Sequence, residues 1–146
     1  MANFLILNRP VMVFLLAATL VTGCARERPV YEVENRPIPL PSASLTADQI
    51  GDRIIKAGQT KNWRITKSAP GQLLGYYSWK RHSAIVAIDY SRSFFSIRYK
   101  SSVKLLAHKA SDDEAYSGKF VIHRRYNQFV RQLESAIDHE LSLPAS

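Results

Sequence analysis

Apolar residues recur at helical spacing in two segments of the chain. The first covers about residues 46–59, opens with a capping box formed by Thr46 and Gln49, and places Ile50 and Ile54 on one face. The second lies just before the last proline and has one continuous apolar face, which consists of Tyr126, Phe129, Val130, Leu133, Ile137 and Leu141. The spacing predicts one helix at each end of a folded domain.

Four segments between these helices have strand signals: the first and the last alternate apolar and polar residues, the second is rich in aromatic residues, and the third is β-branched and apolar. They cover about residues 62–68, 72–80, 84–90 and 94–101, and short links such as Pro70-Gly71 separate them. Short links favour antiparallel pairing in chain order. The expected fold is therefore α+β, a two-layer sandwich in which a four-stranded antiparallel meander packs both helices on one face and leaves the other partly open.

Residues 102–119 follow no regular pattern. Asp112-Asp113-Glu114 and Ser117-Gly118 suggest an exposed loop, and residues 120–122 fit either a short edge strand or an apolar plug. The acidic trio could ligate calcium, although the alternating acidic loop with its central glycine is missing, which favours a solvated loop.

The first 23 residues have the parts of an export signal. Arg9 is the only charged side chain before Arg26, and an 11-residue apolar run, residues 11–21, follows it. That run is shorter than the roughly 20 apolar residues of a membrane-spanning helix. Ordinary secretion, or a buried start of a cytosolic domain, would also fit parts of this pattern.

Leu20-Val21-Thr22-Gly23-Cys24 resembles the lipobox of bacterial lipoproteins. The resemblance implies cleavage before Cys24 and acylation of that cysteine, with palmitate among the chains, so that lipid anchors the mature protein to a membrane. Ala25 stands where an aspartate would favour retention at the inner membrane. By resemblance, the expected location is therefore the outer membrane, facing the periplasm.

Residues 24–44 are expected to be the lipidated cysteine and a tether. Four of the seven prolines lie here (Pro29, Pro37, Pro39 and Pro41), and proline favours an extended, solvated chain. A proline-rich ligand for a partner protein is the alternative. The predicted organisation is a signal peptide over residues 1–23, a tether over 24–44 and a small α+β domain over 45–146.

Composition restricts the chemistry of that domain. The chain carries +8, and removal of residues 1–23 takes away only Arg9, which leaves +7. Cys24 is the only cysteine, so no disulfide is expected. The four histidines lack zinc-ligand spacing, and no nucleotide-binding loop or nucleophile elbow is present. We expect no metal, cofactor, nucleic acid or catalytic residue, although a triad assembled in space would leave no local motif.

Two groups of basic residues are candidate anion-binding sites. Arg64, Arg98 and Lys100 would project from the open face of the sheet, and His123, Arg124 and Arg125 sit at the entry to the last helix, where free N–H groups favour anions. Nearby anions in an envelope are lipopolysaccharide phosphates, peptidoglycan carboxylates and acidic proteins, which a positive domain would attract. An ordinary solubilising surface is the alternative reading of both groups.

The pattern Lys80-Arg81-His82-Ser83-Ala84, Ser96-Ile97-Arg98-Tyr99 and Ile122-His123 with Tyr126-Asn127 is similar to small proteobacterial lipoproteins of uncharacterised activity. The resemblance implies the same location and a compact domain, and it transfers no site. The expected function is a non-catalytic binding or envelope-assembly module. The alternatives are a carrier or sensor for lipopolysaccharide or peptidoglycan, and a small periplasmic hydrolase.

Overall fold

The computed structural model of the protein describes residues 26–114 and 116–144. The predicted signal peptide and Cys24 lie outside these residues. The elements follow in the order β1 (Glu27–Pro29), β2 (Val33–Pro37), a 3-10 turn (Leu40–Ser42), α1 (Ala47–Gln59), β3 (Arg64–Ala69), β4 (Gln72–Trp79), β5 (His82–Tyr90), β6 (Phe94–Val103), β7 (His108–Lys109), β8 (Phe120–His123) and α2 (Arg124–Leu141). No helix in this part of the chain is long and apolar enough to cross a membrane.

The main sheet has five antiparallel strands in the order β2-β6-β5-β4-β3. The α+β class and the antiparallel meander of β3 to β6 are confirmed, but the prediction of a single four-stranded sheet is wrong. Strand β2 adds an edge to β6, where Val33 lies opposite Ile97 and is buried.

The predicted tether is also wrong over residues 26–44, which belong to the folded domain. Strands β1 and β2 lie in this segment, and Ser42 is fully buried, with its hydroxyl donating to the Leu141 carbonyl at 2.6 Å. Proline excludes the centre of a sheet but is accepted at an edge or a strand end. Pro29 and Pro37 occupy the last positions of β1 and β2, so their missing N–H groups cost little.

A second, smaller sheet has the order β1-β8-β7. Residues 120–122 therefore form a strand, as one of the two alternatives proposed, but it lies in the middle of a sheet rather than at an edge. Its partners are β1, which lies in the predicted tether, and β7, which lies in residues 102–119. Neither strand was predicted from the sequence.

Both helices pack against one face of the main sheet. Tyr77 and Tyr99 on this face contact Phe129 and Tyr126 of α2, with ring centroids 4.4 and 5.5 Å apart. Tyr90, on the same face, lies against Gly51 of α1. The predicted capping box is confirmed: the Gln49 N–H donates to the Thr46 hydroxyl, and the Thr46 N–H donates to the Gln49 side chain.

Candidate functional site

The start of α2 offers fewer free N–H groups than the sequence suggested. His123 is the N-cap, and its Nδ1 accepts a hydrogen bond from the Arg125 N–H at 3.2 Å. The Arg124 N–H donates to the Arg26 carbonyl at 2.7 Å. Two donors of the first turn are therefore occupied by the protein itself, which weakens this helix start as a backbone anion site.

The three candidate residues at this helix start lie in different environments. The Arg125 guanidinium lies 4.2 Å from the centroid of the Trp79 ring. Arg124 is exposed and lines a groove described below. Burial lowers the pKa of His123, and the charges of Arg125, His82, Arg124 and Arg26 lower it further.

The three candidates on the open sheet face are not brought together either. Arg98 binds two carboxylates: its Nε and one Nη donate to Glu34 at 2.9 and 2.7 Å, and its other Nη donates to Asp89. These partners, Glu34 first, raise the pKa of Arg98, which remains fully charged and internally paired. Arg98 is therefore a structural residue rather than a free anion ligand.

Arg64 and Lys100 also stand apart. Arg64 lies over the Tyr76 ring, 5.5 Å from its centroid. Its strand β3 is separated from β6 by β4 and β5, which places the two strands about 14 Å apart. Lys100 is exposed at the position where the β5–β6 register shifts. The three candidate cations of the sheet face are thus separate from one another.

A groove of about 800 Å³ between β1, the link that follows it and the outer face of α2 is the better candidate. Four of its lining residues are cationic, namely Arg28, Lys61, Arg124 and Arg131, and none of the lining residues is acidic. Gln128, Gln132 and Ser135 add uncharged hydrogen-bonding groups. The groove therefore combines positive charge with donors and acceptors along one helix face.

Tyr31 fixes the position of one of these cations. The Arg131 guanidinium lies 3.8 Å from the Tyr31 ring centroid, and the Tyr31 hydroxyl donates to Glu134 Oε2 at 2.6 Å. This hydrogen bond raises the pKa of Tyr31, with burial and the Glu134 charge adding to it. Arg131 is thus oriented before any ligand arrives, which reduces the entropy cost of binding.

Arg28 is placed by β1, whose residues pair with β8. Its guanidinium donates to the Glu27 carbonyl at 2.9 Å and lies 5.9 Å from the Tyr116 ring centroid. The groove therefore depends on the segment that the sequence had suggested was a tether.

Of the four cations of the groove, Arg124 was predicted from the sequence, whereas Arg28, Lys61 and Arg131 were not. One available signal was the outer stripe of α2, where Arg124, Gln128, Arg131, Gln132 and Ser135 recur at helical spacing without a carboxylate. Such a stripe is unusual for a solvated helix face, which commonly mixes both charges.

A separate trio brings together Glu27, His108 and Glu114, whose ligand atoms all lie within 4.8 Å of one another. The His108 Nε2 is 3.4 Å from Glu114 and 3.9 Å from Glu27. Glu114 also accepts from the Ser111 N–H and hydroxyl, at 2.7 and 2.6 Å, which lowers its pKa. These three could ligate a metal. Glu27 belongs to β1, whereas His108 and Glu114 lie six positions apart, and of the three only Glu114 was part of a candidate site in the sequence.

No hydrogen bond joins a serine hydroxyl to a histidine in residues 26–114 and 116–144. Comparison with protein-family models gives no match, and comparison with curated protein sequences gives none either. The chain's own residues must therefore indicate the function.

Proposed function

We propose that the protein is a lipid-anchored, non-catalytic binding module of the bacterial envelope, and that the groove beside α2 binds an anionic group of an envelope polymer. The observation that carries the binding proposal is the charge of the groove: four cations and no carboxylate among its lining residues. The lipobox resemblance at Cys24 supports the anchor and an outer-membrane location facing the periplasm.

The chemistry of the groove fits carboxylate or phosphate groups on a polar chain. Guanidinium groups bind both anions through paired donors, and neighbouring amides can bind hydroxyl or amide groups of the same polymer. Peptidoglycan carboxylates and lipopolysaccharide phosphates are the two sources of such anions near a periplasmic domain. The groove favours ligand binding over a purely structural role in envelope assembly.

Anchoring is tested by metabolic labelling with a clickable palmitate analogue. The wild type should incorporate the label and begin at Cys24, and Cys24→Ser should incorporate none and retain residues 1–23. Labelling of Cys24→Ser, or an unlabelled wild type, would contradict the anchor.

Groove binding is tested by co-sedimentation with purified peptidoglycan sacculi and, separately, by capture on lipopolysaccharide. Lys61→Glu combined with Arg131→Glu should weaken binding by about tenfold or more, since two cations of the groove become carboxylates that repel an anionic ligand. The matched control, Lys67→Glu with Arg92→Glu, makes the same change in net charge away from the groove and should bind like the wild type. Wild-type protein that binds neither polymer, or a groove variant that binds normally, would overturn the proposal.

A further inference from the structure

Five exposed basic residues lie together at one end of the sandwich: Arg26, Lys80, Arg81, Arg124 and Arg125. We name this surface the basic end. Lys80 and Arg81 form the turn that joins β4 to β5, and Arg124 and Arg125 begin α2.

Trp79 connects these two elements. The Arg125 guanidinium and the Lys80 ammonium lie 4.2 and 5.2 Å from the Trp79 ring centroid, and His82 stacks on the ring at 5.2 Å. Trp79 also contacts Phe129 of α2, at 6.4 Å between centroids. The basic end is therefore a packed surface that places an indole among cations.

The electrostatic surroundings of His123 show that this end is positive. The charges of Arg125, His82, Arg124 and Arg26 all act to lower the pKa of His123, after burial. Glu27, which follows Arg26 in the sequence, has its carboxylate 3.9 Å from His108 Nε2. The cations of the basic end thus have no carboxylate partner among the ion pairs of residues 26–114 and 116–144.

The chain enters the domain at this same end. The Arg26 carbonyl accepts from the Arg124 N–H at 2.7 Å, so Arg26 is attached to the start of α2. Cys24 is only two residues earlier, which limits the distance between the two Cα atoms to about 7 Å in any conformation. A lipid on Cys24 therefore leaves no tether between the bilayer and the basic end.

We infer that the basic end lies against the anionic phospholipid headgroups of the leaflet that holds the lipid anchor. The inference rests on the proposed acylation of Cys24. Basic side chains near such a leaflet are attracted to it, and tryptophan favours the headgroup region because its ring is apolar and its N–H is polar. Because Arg124 belongs to both surfaces, the groove then opens beside the membrane surface, with α2 leading away from it.

The test uses the full-length protein, purified in its lipidated form and reconstituted into vesicles that contain brominated phosphatidylethanolamine. One set of vesicles includes about a third phosphatidylglycerol, and the other replaces it with phosphatidylcholine. Bromine atoms near the headgroup end of the acyl chains quench a tryptophan that lies at the boundary between headgroups and acyl chains. Trp63 is 2% exposed and supplies a constant background, so quenching reports Trp79.

We expect Trp79 to be quenched in the phosphatidylglycerol vesicles and much less in the zwitterionic ones, and Trp79→Phe to abolish the effect. Arg81→Glu with Arg125→Glu should lower the ratio of docked to undocked molecules by about 25-fold or more, because each basic residue at an anionic leaflet contributes about fivefold. Lys67→Glu with Arg92→Glu, at the opposite end of the sheet, should leave it unchanged. Comparison with unbrominated vesicles corrects for the altered surroundings of Trp79 in the Arg125 variant.

Unquenched Trp79, or equal quenching in both lipid mixtures, would overturn the inference. Palmitate labelling separates this outcome from failure of the anchor. A labelled, membrane-bound protein with unquenched Trp79 would refute only the orientation, and an unlabelled protein would refute the proposed function.

Discussion

The Asn127 side-chain oxygen accepts a hydrogen bond from the Tyr31 N–H at 2.9 Å, across 96 positions of the sequence. Its Nδ2 donates to the Pro29 carbonyl at 2.8 Å. One amide of α2 therefore satisfies two backbone groups of the link between β1 and β2. These two hydrogen bonds hold the proline-containing segment against α2, where it forms one wall of the groove.

Asn127→Ala should destabilise the protein by about 1–3 kcal/mol, since two partly buried backbone groups lose their partners. Hydrogen exchange of the Tyr31 amide should accelerate more than that of the β5 amides. Chemical denaturation and exchange mass spectrometry measure the two effects. Gln128→Ala, at the exposed neighbouring position, is the control and should change neither; unchanged stability of Asn127→Ala would show that β1 is held by other contacts.

Arg98→Gln should lower stability only modestly, because its side chain is 41% exposed and its ion pairs are screened by water. The loss should shrink as salt is added. Lys100 lies on the same strand and forms no ion pair with the described residues. Lys100→Gln should therefore leave stability nearly unchanged. Binding to envelope polymers should be the same for both variants; a selective loss in Arg98→Gln would restore Arg98 as a ligand-binding residue.

Tyr126→Phe should leave stability unchanged or raise it by up to about 1 kcal/mol. The Tyr126 side chain is fully buried, and its hydroxyl has no hydrogen-bond partner within residues 26–114 and 116–144. Burial also raises the pKa of this hydroxyl, with the charge of Glu32 next in size, so Tyr126 stays neutral. Removing an unsatisfied polar group relieves a desolvation cost. Tyr126→Ala, by contrast, should cost about 3–5 kcal/mol through the cavity it leaves. Thermal and urea unfolding compare the two, and a clear loss in Tyr126→Phe would reveal a partner for the hydroxyl.

Gly58→Ala should destabilise α1 packing although alanine favours helices. A Cβ at Gly58 would lie 2.3 Å from Ile65 Cδ1 and 2.9 Å from Ile65 Cγ1. Because Ile65 is buried, we expect this overlap to cost about 2–3 kcal/mol, more than the roughly 1 kcal/mol gained in helix propensity. Ile65→Val removes the overlapping methyl group, so Gly58→Ala should cost less in that background. A double-mutant cycle measured by denaturation gives the coupling, and additive effects would argue against close contact.

The pKa values of His108 and His123 should be shifted in opposite directions from the ordinary histidine value. The hydrogen bond to the Leu106 carbonyl raises the pKa of His108, and Glu114 and Glu27 add to it against desolvation. His108 therefore stabilises the fold below the ordinary value, and this contribution is lost as pH rises through its folded-state pKa. The lowered pKa of His123 acts in the opposite sense: its contribution is present above the ordinary value and is lost as pH falls through its folded-state pKa.

NMR titration of the two imidazole rings measures both pKa values. Glu114→Gln should bring the pKa of His108 down toward its ordinary value and leave His123 unchanged. Identical pKa values for the two rings would contradict both assignments.

Local patterns in the sequence predicted α1, α2 and the strands β3 to β6 because each depends on neighbours within a few residues. The capping box at Thr46, the apolar stripe of α2 and the local strand signals along β3 to β6 need no distant partner to be recognised. Residues 26–44 were misread for the opposite reason. Their prolines disfavour regular structure locally, and Val33 forms a strand only because β6 offers an unpaired edge and the core covers its side chain.

The properties of the candidate sites likewise depend partly on the sequence alone and partly on the tertiary structure. Composition and the segment around Cys24 determined the positive charge, the absence of a second cysteine and the expectation of a lipid anchor. Tertiary structure alone decided which cations act together: it paired Arg98 with Glu34 and Asp89, and it brought Arg28, Lys61 and Arg131 to one groove. The sign of a side-chain charge can be read from the sequence, but its partners are set by the long-range packing of helices on sheets. Short-range periodicity does not encode that packing.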